Sequence, residues 1–363
     1  MRCAIVGSGL AALATYATLR HGGVEPEEIA VFGTHADPTE VWRTRASSIR
    51  QQRMRSESDG HLAPASFPGL AVREAVRHAS PAPLVRTLTN RYHPSVDDFL
   101  SHAGELRARS GWERSFVERR IQRVRAVAGG FELDGQGPFA HVLLATGHPG
   151  LAKPAEYGAV VHAYEPHEYT SKVAVVGAGM AAATEWLNAL ATGAEVVSIR
   201  RREPVRRPLN VPRPLFSKRG LAAFQAATDE QRAARLRELN APSYPPGREW
   251  DRPMQSERFR TVTPEPGSNG TGLEGFQVIS ATGFRRGFWH DPLLADLVAE
   301  HDLAAHGRWI ALAPDSTVAA LTDDTRTLSI AGVAGQWAFP AADTIAGAKY
   351  AARAFRRRVC RTR

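Results

Sequence analysis

Arg2-Cys3-Ala4-Ile5-Val6-Gly7-Ser8-Gly9-Leu10-Ala11-Ala12 decides the fold, because Lys172-Val173-Ala174-Val175-Val176-Gly177-Ala178-Gly179-Met180-Ala181-Ala182 repeats its plan. Each stretch is a short apolar run, then Gly-x-Gly-x-x-Ala, then an Ala-rich segment stopped by glycine, at Gly22-Gly23 and at Gly193. The apolar run reads as a buried strand and the Ala-rich segment as a helix. Gly7 and Gly177 permit the tight turn out of the strand. Gly9 and Gly179 let the backbone approach a pyrophosphate, and Ala12 and Ala182 let helix pack closely on strand. The free N–H groups and partial positive charge of each helix N-terminus suit phosphate. One match is weak, since glycine turns occur wherever a strand meets a helix. Two, each between an apolar strand and an Ala-rich helix, are strong.

Working outward, residues 28–32 read as the strand that completes the first βαβ unit, and 195–199 as its counterpart in the second. Residues 141–145 form a buried strand ending at Thr146-Gly147, and 276–281 one ending in Ala281-Thr282-Gly283. Strand, glycine turn, helix and a later strand ending in Ala-Thr-Gly therefore occur twice, about 140 to 170 residues apart. Between these landmarks, 34–70 is an Arg- and Ser-rich connection, 96–110 a helix and 116–134 a hairpin. The 203–271 stretch is Pro- and Arg-rich, with one helical piece near 218–240 and a mobile loop at 264–270. The last strand falls at 327–331 and the last helix at about 341–357.

Composition narrows the function. A hydrophobic fraction of 43% and a charged fraction of 23% describe an ordinary globular chain, and its 363 residues suffice for two domains. No apolar run approaches the roughly 20 residues of a membrane-spanning helix, and the first strand runs directly into its turn without a leader, so a cytoplasmic protein is expected. Net charge is +9, but only four of the 46 basic residues are lysine and the arginines are spread along the chain. A nucleic-acid face would gather them with aromatics on one element. Cys3 and Cys360 form no C-x-x-C pair, so neither a disulfide framework nor a dithiol centre of the usual spacing is present. His61, His93, His148, His162 and His290 lack metal-ligand spacing, no metal is expected, and no G-x-S-x-G marks a hydrolase.

The ends of the second strands differ chemically. Arg200-Arg201-Arg202 follows Val196–Ile199, with no acid to bond a ribose 2′-hydroxyl. Paired guanidinium donors suit a 2′-phosphate, which favours NADPH over NADH; a solvated basic loop is the bland alternative. After Ala30-Val31-Phe32 stands Gly33, where an FAD-binding unit normally carries Glu or Asp, with Asp37 four residues on.

The two-fingerprint layout resembles the class B flavoprotein monooxygenases: flavin-containing monooxygenases, Baeyer–Villiger enzymes and the amine N-hydroxylases of siderophore biosynthesis. Leu143–Pro149 and Val278–Arg285 resemble the family's two Ala-Thr-Gly segments. Gly158-x-x-x-His162 resembles the core of the signature FxGxxxHxxxY, with Glu156 and Pro166 in place of its aromatics. Ile330-Ala331-Gly332-Val333 and Pro340–Gly347 resemble the strand and helix that cover the flavin. The resemblance implies an α/β chain of two Rossmann-like dinucleotide-binding domains. The FAD domain is discontinuous, 1–165 and 275–363, and an NADPH domain, 166–274, is inserted in it. Asp37-Pro38-x-x-x-Trp42 resembles the loop that carries a tryptophan near the flavin, and Gln51–Ser56, Met54 included, would lie by the isoalloxazine and nicotinamide. Trp42 packed under a loop and Met54 filling core are the alternatives.

The implied cofactor-binding set is Gly7, Gly9, Ala12, Asp37, Trp42, Gln51, Met54, Thr146, Gly147, His162, Gly177, Gly179, Ala182, Arg200, Arg201, Thr282, Gly283, Gly332 and Pro340. The family places His162 at the interdomain hinge, and no side chain is marked as catalytic because the chemistry is centred on the flavin. The implied reaction uses FAD, NADPH and O2 to put one oxygen atom on a small-molecule substrate, at an amine nitrogen or other soft nucleophile, through a C4a-(hydro)peroxyflavin. Two other readings stay open: an NADPH-dependent flavin reductase without oxygenation, and a non-enzymatic nucleotide-binding sensor. Neither nucleic acid nor membrane is an expected partner, and homo-oligomerisation is left open.

Overall fold

A computed structural model describes residues 2–54, 61–62, 69–88, 92–158, 160–201, 203–207, 211–245, 247–264 and 273–361. Two five-stranded, wholly parallel sheets organise it. The first runs Thr327–Ile330, His141–Leu144, Cys3–Val6, Ile29–Gly33, Phe116–Glu118, and the second Phe259–Val262, Glu195–Ile199, Lys172–Val176, Gln277–Ser280, Val161–His162. In each, the fingerprint strand is central, with the second strand of its βαβ unit on one side and the Ala-Thr-Gly strand on the other. The duplication read from the sequence is thus a duplication of sheet topology. All four residues of Cys3–Val6 are buried, as expected of a parallel strand covered on both faces.

The fingerprint helices, Leu10–His21 and Met180–Ala191, follow their turns directly, each with glycine as N-cap and no side-chain cap. Ala-rich faces let them lie close to neighbours. Leu10–His21 packs along the last helix, Ile345–Arg361, where Ala351, Phe355 and Val359 share a core with Ala12, Tyr16 and Leu19. A separate core under the second sheet centres on Trp186, Val173, Val196 and Tyr244.

Several expectations need correction. Phe116–Glu118 is not part of a hairpin but the edge strand of the first sheet, parallel to Val31–Gly33. The antiparallel ladder starts at Val124–Val127 and continues through Gly130–Leu133 and Gln136–Phe139. The helical piece near 218–240 is two helices, Lys218–Ala226 and Asp229–Leu239, because Thr228 takes extended backbone and caps the second in a capping box with Gln231. The last helix begins at Ile345 rather than 341. The Arg- and Ser-rich connection contains a helix at Glu40–Ser48 and ends where another, Gly69–Arg77, begins. Strands Val161–His162 and Gln277–Ser280, grouped with the first domain from sequence, hydrogen-bond within the second sheet. Arg55, Ser56 and Arg202 lie outside the described residues, as does the 264–270 loop from 265 on.

Among the described residues, no helix is long and apolar enough to cross a membrane, and no cluster of His, Cys, Asp and Glu is arranged to hold a metal ion.

Candidate cofactor crevice

The two glycine turns are built alike. Gly7 N–H donates to the Phe32 carbonyl at 2.8 Å and Ala145 N–H to the Val6 carbonyl at 2.7 Å. In the second unit Gly177 donates to Ile199 at 3.0 Å and Ala281 to Val176 at 2.8 Å. Both first glycines have positive φ, +109° and +143°, and each backs onto the carbonyl of its unit's Ala-Thr-Gly alanine. Only glycine tolerates that combination. The second glycines differ. A Cβ on Gly9 would meet nothing within 4 Å, so open space faces the helix N-terminus there, as a bound pyrophosphate requires. A Cβ on Gly179 would lie 3.6 Å from the Pro242 side chain, so the second turn is bounded by the 241–244 segment. Ala12 and Ala182 are fully buried between helix and strand.

The adenosine ends depart from a common pattern. A Cβ on Gly33 would fall 2.2 Å from Ser8 Oγ, so the serine occupies the space beside Gly33, and its Oγ accepts the His35 N–H at 3.3 Å. Asp37 is committed elsewhere: Oδ1 accepts from Thr39 N–H and Thr39 Oγ, and Oδ2 pairs with Arg43. Burial works against the Asp37 charge, yet these partners hold its carboxyl below the ordinary range. The first unit thus fits a dinucleotide's phosphates, and Asp37 is not free to meet its ribose. In the second unit Arg200 is buried at the strand end. One nitrogen reaches Glu203 while Nε and Nη1 lack partners, and the guanidinium lies 5.8 Å from the Trp186 ring centre. A buried guanidinium with unused donors fits an absent phosphate ligand. Arg201 is exposed and pairs with Glu156.

Between the units runs a crevice. His162 is fully buried, its Nε2 2.8 Å from the Gly283 carbonyl and its Nδ1 accepting the Tyr164 N–H at 3.1 Å. The ring is therefore the neutral Nε2–H tautomer. Burial, opposed by the Gly283 bond, pushes its pKa down to about 4. It fastens the interdomain linker to the second Ala-Thr-Gly segment, in which Thr282 bonds the Ala152 carbonyl at 2.6 Å. Tyr164, Phe284 and His148 continue from it as a stack, at 5.5, 5.2 and 3.9 Å between successive ring centres. Burial followed by the charge of Arg45 drives His148 down to about 3. Arg286 and Asp343 are open to solvent yet sit among enough protein for desolvation to lower the arginine's pKa and raise the aspartate's, with their mutual attraction opposing both. Groups that are both surrounded and accessible line a cleft rather than an outer face.

Other expected positions fall as follows. Thr146 and Gly147 leave the first sheet at the crevice, with Gly147 exposed, while Gly332 turns with φ +71° after the last strand and Pro340 is buried. Trp42 packs edge-on against Phe99 at 5.1 Å, and Met54 is buried in the same core. Gln51 Nε2 bonds the Arg53 carbonyl. Arg45, Tyr164, Arg286 and Asp343 also line the crevice and were not in the expected cofactor-binding set, although Tyr164 adjoins the broken signature and Asp343 falls in the Pro340–Gly347 stretch. They come from four separate segments, and no local pattern connects them.

No protein-family profile and no curated protein matches the chain. Solved structures do. An ornithine N-hydroxylase from Kutzneria, KtzI, described with reduced FAD, NADP+ and L-ornithine, covers 99% of this chain with 99% of its own at TM-score 0.70 and 16% identity. DfoA from Erwinia amylovora, the FAD-bound cadaverine monooxygenase of a desferrioxamine pathway, covers 98% with 94% of its own at 0.71 and 12%. This chain has the fold of the flavin monooxygenases. Bacillithiol disulfide reductase Bdr from Bacillus cereus matches 100% of it with 99% of its own at 0.65 and 14%. The flavin-monooxygenase fold thus spans the whole chain, and at such identities chemistry has to be argued from residues.

Proposed function

We propose that the chain is an FAD- and NADPH-dependent monooxygenase of the cytoplasm, placing one oxygen atom from O2 on an amine nitrogen or other soft nucleophile of a small molecule. The observation that carries this reading is the pair of identically built glycine turns, each braced by an Ala-Thr-Gly strand, in a chain whose full length superposes on N-hydroxylases. The flavin, when bound, supplies hydride acceptance and oxygen activation. The first turn and the Leu10 helix end would hold its pyrophosphate; Arg200 would hold the 2′-phosphate of NADPH. His162, neutral, keeps the two units in register without taking part in proton transfer. The ring stack from His162 to His148 lines the crevice and excludes water from it.

The test is rapid mixing of the FAD-loaded protein, reduced anaerobically with NADPH, with oxygenated buffer containing ornithine or cadaverine. A long-lived absorbance band distinct from oxidised and reduced flavin, with a hydroxylated amine as product, supports the reading. Immediate reoxidation with all electrons recovered as peroxide favours a reductase, and failure to bind FAD favours a nucleotide sensor.

The reductase is the second reading because the disulfide reductase covers the whole chain almost as well. Cys3 does not suit thiol chemistry: it is buried in the first strand, and burial pushes its thiol up to about 12.

A further inference from the structure

Three arginines, Arg285, Arg286 and Arg308, line a single pocket with Phe288, Trp309 and Asp291. It is open to solvent on one side. Gly147 and Val333, at the carboxyl ends of two strands of the first sheet, form its floor, so it opens from the crevice where the units meet.

The charge in this pocket is unbalanced. None of the three arginines forms an ion pair within 4 Å among the described residues. Two carboxylates offset part of the charge: Asp291, whose Oδ1 accepts the Leu293 N–H at 3.1 Å and caps the Pro292–His301 helix, and Asp343, which attracts Arg286. Arg286 donates to the Asn240 carbonyl at 3.2 Å, a neutral partner. Arg308 lies 4.8 Å above the centre of the Trp309 ring, and that indole is fixed by its own N–H bond to Gln336 at 3.3 Å. The guanidinium is thereby held in place before any ligand arrives. Arg286 and Arg308 also repel each other, and burial makes both charges costly. Like charges kept close in a partly desolvated pocket, on fixed supports, need an anion to offset them.

Neither Arg285-Arg286 nor Arg308 belongs to a glycine turn, so the cofactor pyrophosphates have other sites. We infer that this pocket is the acid-recognition end of the substrate site, and that the substrate is a small molecule with an anionic group, a carboxylate or a phosphate, and an apolar stem lying on Phe288 and Trp309. This inference rests on the proposed function and names the substrate class for it.

The experiment is calorimetric titration of the FAD-loaded protein and of the apoprotein at pH 8 with succinate and with phenyl phosphate, using succinamide and phenol as uncharged controls. Saturable binding of an anion but not of its control is expected. Arg286→Gln and Arg308→Gln should each weaken it tenfold or more, Arg308→Lys should keep most of it, and FAD content and the KM for NADPH should stay within twofold. Absence of anion binding to the unmodified protein, or binding indifferent to both Gln variants, overturns the inference. So does loss of FAD or NADPH affinity in the variants, which would assign the arginines to a cofactor phosphate. Should the Gln variants fail to fold, succinate protection of wild-type Arg286 and Arg308 from phenylglyoxal, read by peptide mass, decides the matter in the same two directions. Because the apoprotein is titrated as well, failure of the redox reading, seen as no FAD binding or no NADPH oxidation, stays separate from failure of this one.

Discussion

Gly7 and Ala145 meet backbone to backbone: a Cβ on Gly7 would lie 2.1 Å from the Ala145 carbonyl oxygen. Gly177 and Ala281 repeat the relation at 2.6 Å. The Ala-Thr-Gly strands therefore brace the phosphate turns from behind, and the two motifs of each unit form one device.

That device separates the roles of the two glycines in the first turn. Gly7→Ala has neither the space nor the backbone angle for a side chain, and should destabilise the protein by roughly 2–4 kcal/mol. Gly9→Ala meets open space in the apoprotein and should cost less than about 1 kcal/mol, while FAD affinity falls at least tenfold because the methyl group stands where the pyrophosphate approaches. Urea unfolding of the apoprotein and flavin titration, run on both variants, would give opposite rankings. Equal loss of stability would end the distinction.

Gly33 and Ser8 make a second, compensating pair. Restoring a carboxylate with Gly33→Glu alone should fail, since its Cβ would fall 2.2 Å from Ser8 Oγ. Removing that obstacle with Ser8→Gly in the same chain should let the introduced carboxylate reach a ribose and tighten FAD binding tenfold or more, the effect of a charge-assisted hydrogen bond of about 1.5–3 kcal/mol. Fluorescence titration of FAD checks this; a double variant no tighter than wild type would show that the adenosine lies elsewhere.

The sequence made the centre of each sheet legible because an apolar run between a boundary and a glycine turn has few other readings, as at Cys3–Val6 and Lys172–Val176. Phe116–Glu118 escaped because a half-exposed edge strand of three residues carries almost no period. The Glu40–Ser48 helix escaped for a similar reason: it is polar, and Ala46 is its only buried residue. Gln277–Ser280 was visible as a strand but not as a member of the second sheet, since pairing partners are set by contacts distant in sequence. The glycine turns were legible because they are local. The crevice was not, because Arg45, His148, Arg286 and Asp343 meet only after the units dock.

Arg200 and Arg201 should discriminate between the nicotinamide cofactors unequally. Arg200 has buried, unpartnered donors; Arg201 is mostly exposed and held by Glu156. Arg200→Ala should raise the KM for NADPH tenfold or more with little change for NADH, and Arg201→Ala should have a smaller effect of the same kind. Steady-state NAD(P)H oxidation by the FAD-loaded enzyme measures both. Equal effects on the two cofactors would remove the 2′-phosphate assignment.

The interdomain linker carries two histidines of opposite electrostatic sign, which predicts a two-sided pH dependence of stability. His162 has its pKa pushed from 6.5 down to about 4, chiefly by burial. Its contribution is complete above 6.5 and disappears as pH falls toward 4, where protonation breaks the Nδ1 bond from Tyr164; the shift corresponds to on the order of 3 kcal/mol. His167 is the reverse. Burial opposes its charge, but Nε2 lies 3.0 Å from the fully buried Glu185, Nδ1 lies 2.7 Å from the Glu165 carbonyl, and together they raise its pKa above 6.5. Its contribution is complete below 6.5 and is lost as pH rises through the raised value. Unfolding of wild type, His162→Gln and His167→Gln, measured from pH 4.5 to pH 9, should show the His162→Gln deficit shrinking toward acid and the His167→Gln deficit shrinking toward alkali. Deficits that both stay flat across that range would mean that the two rings act by packing alone.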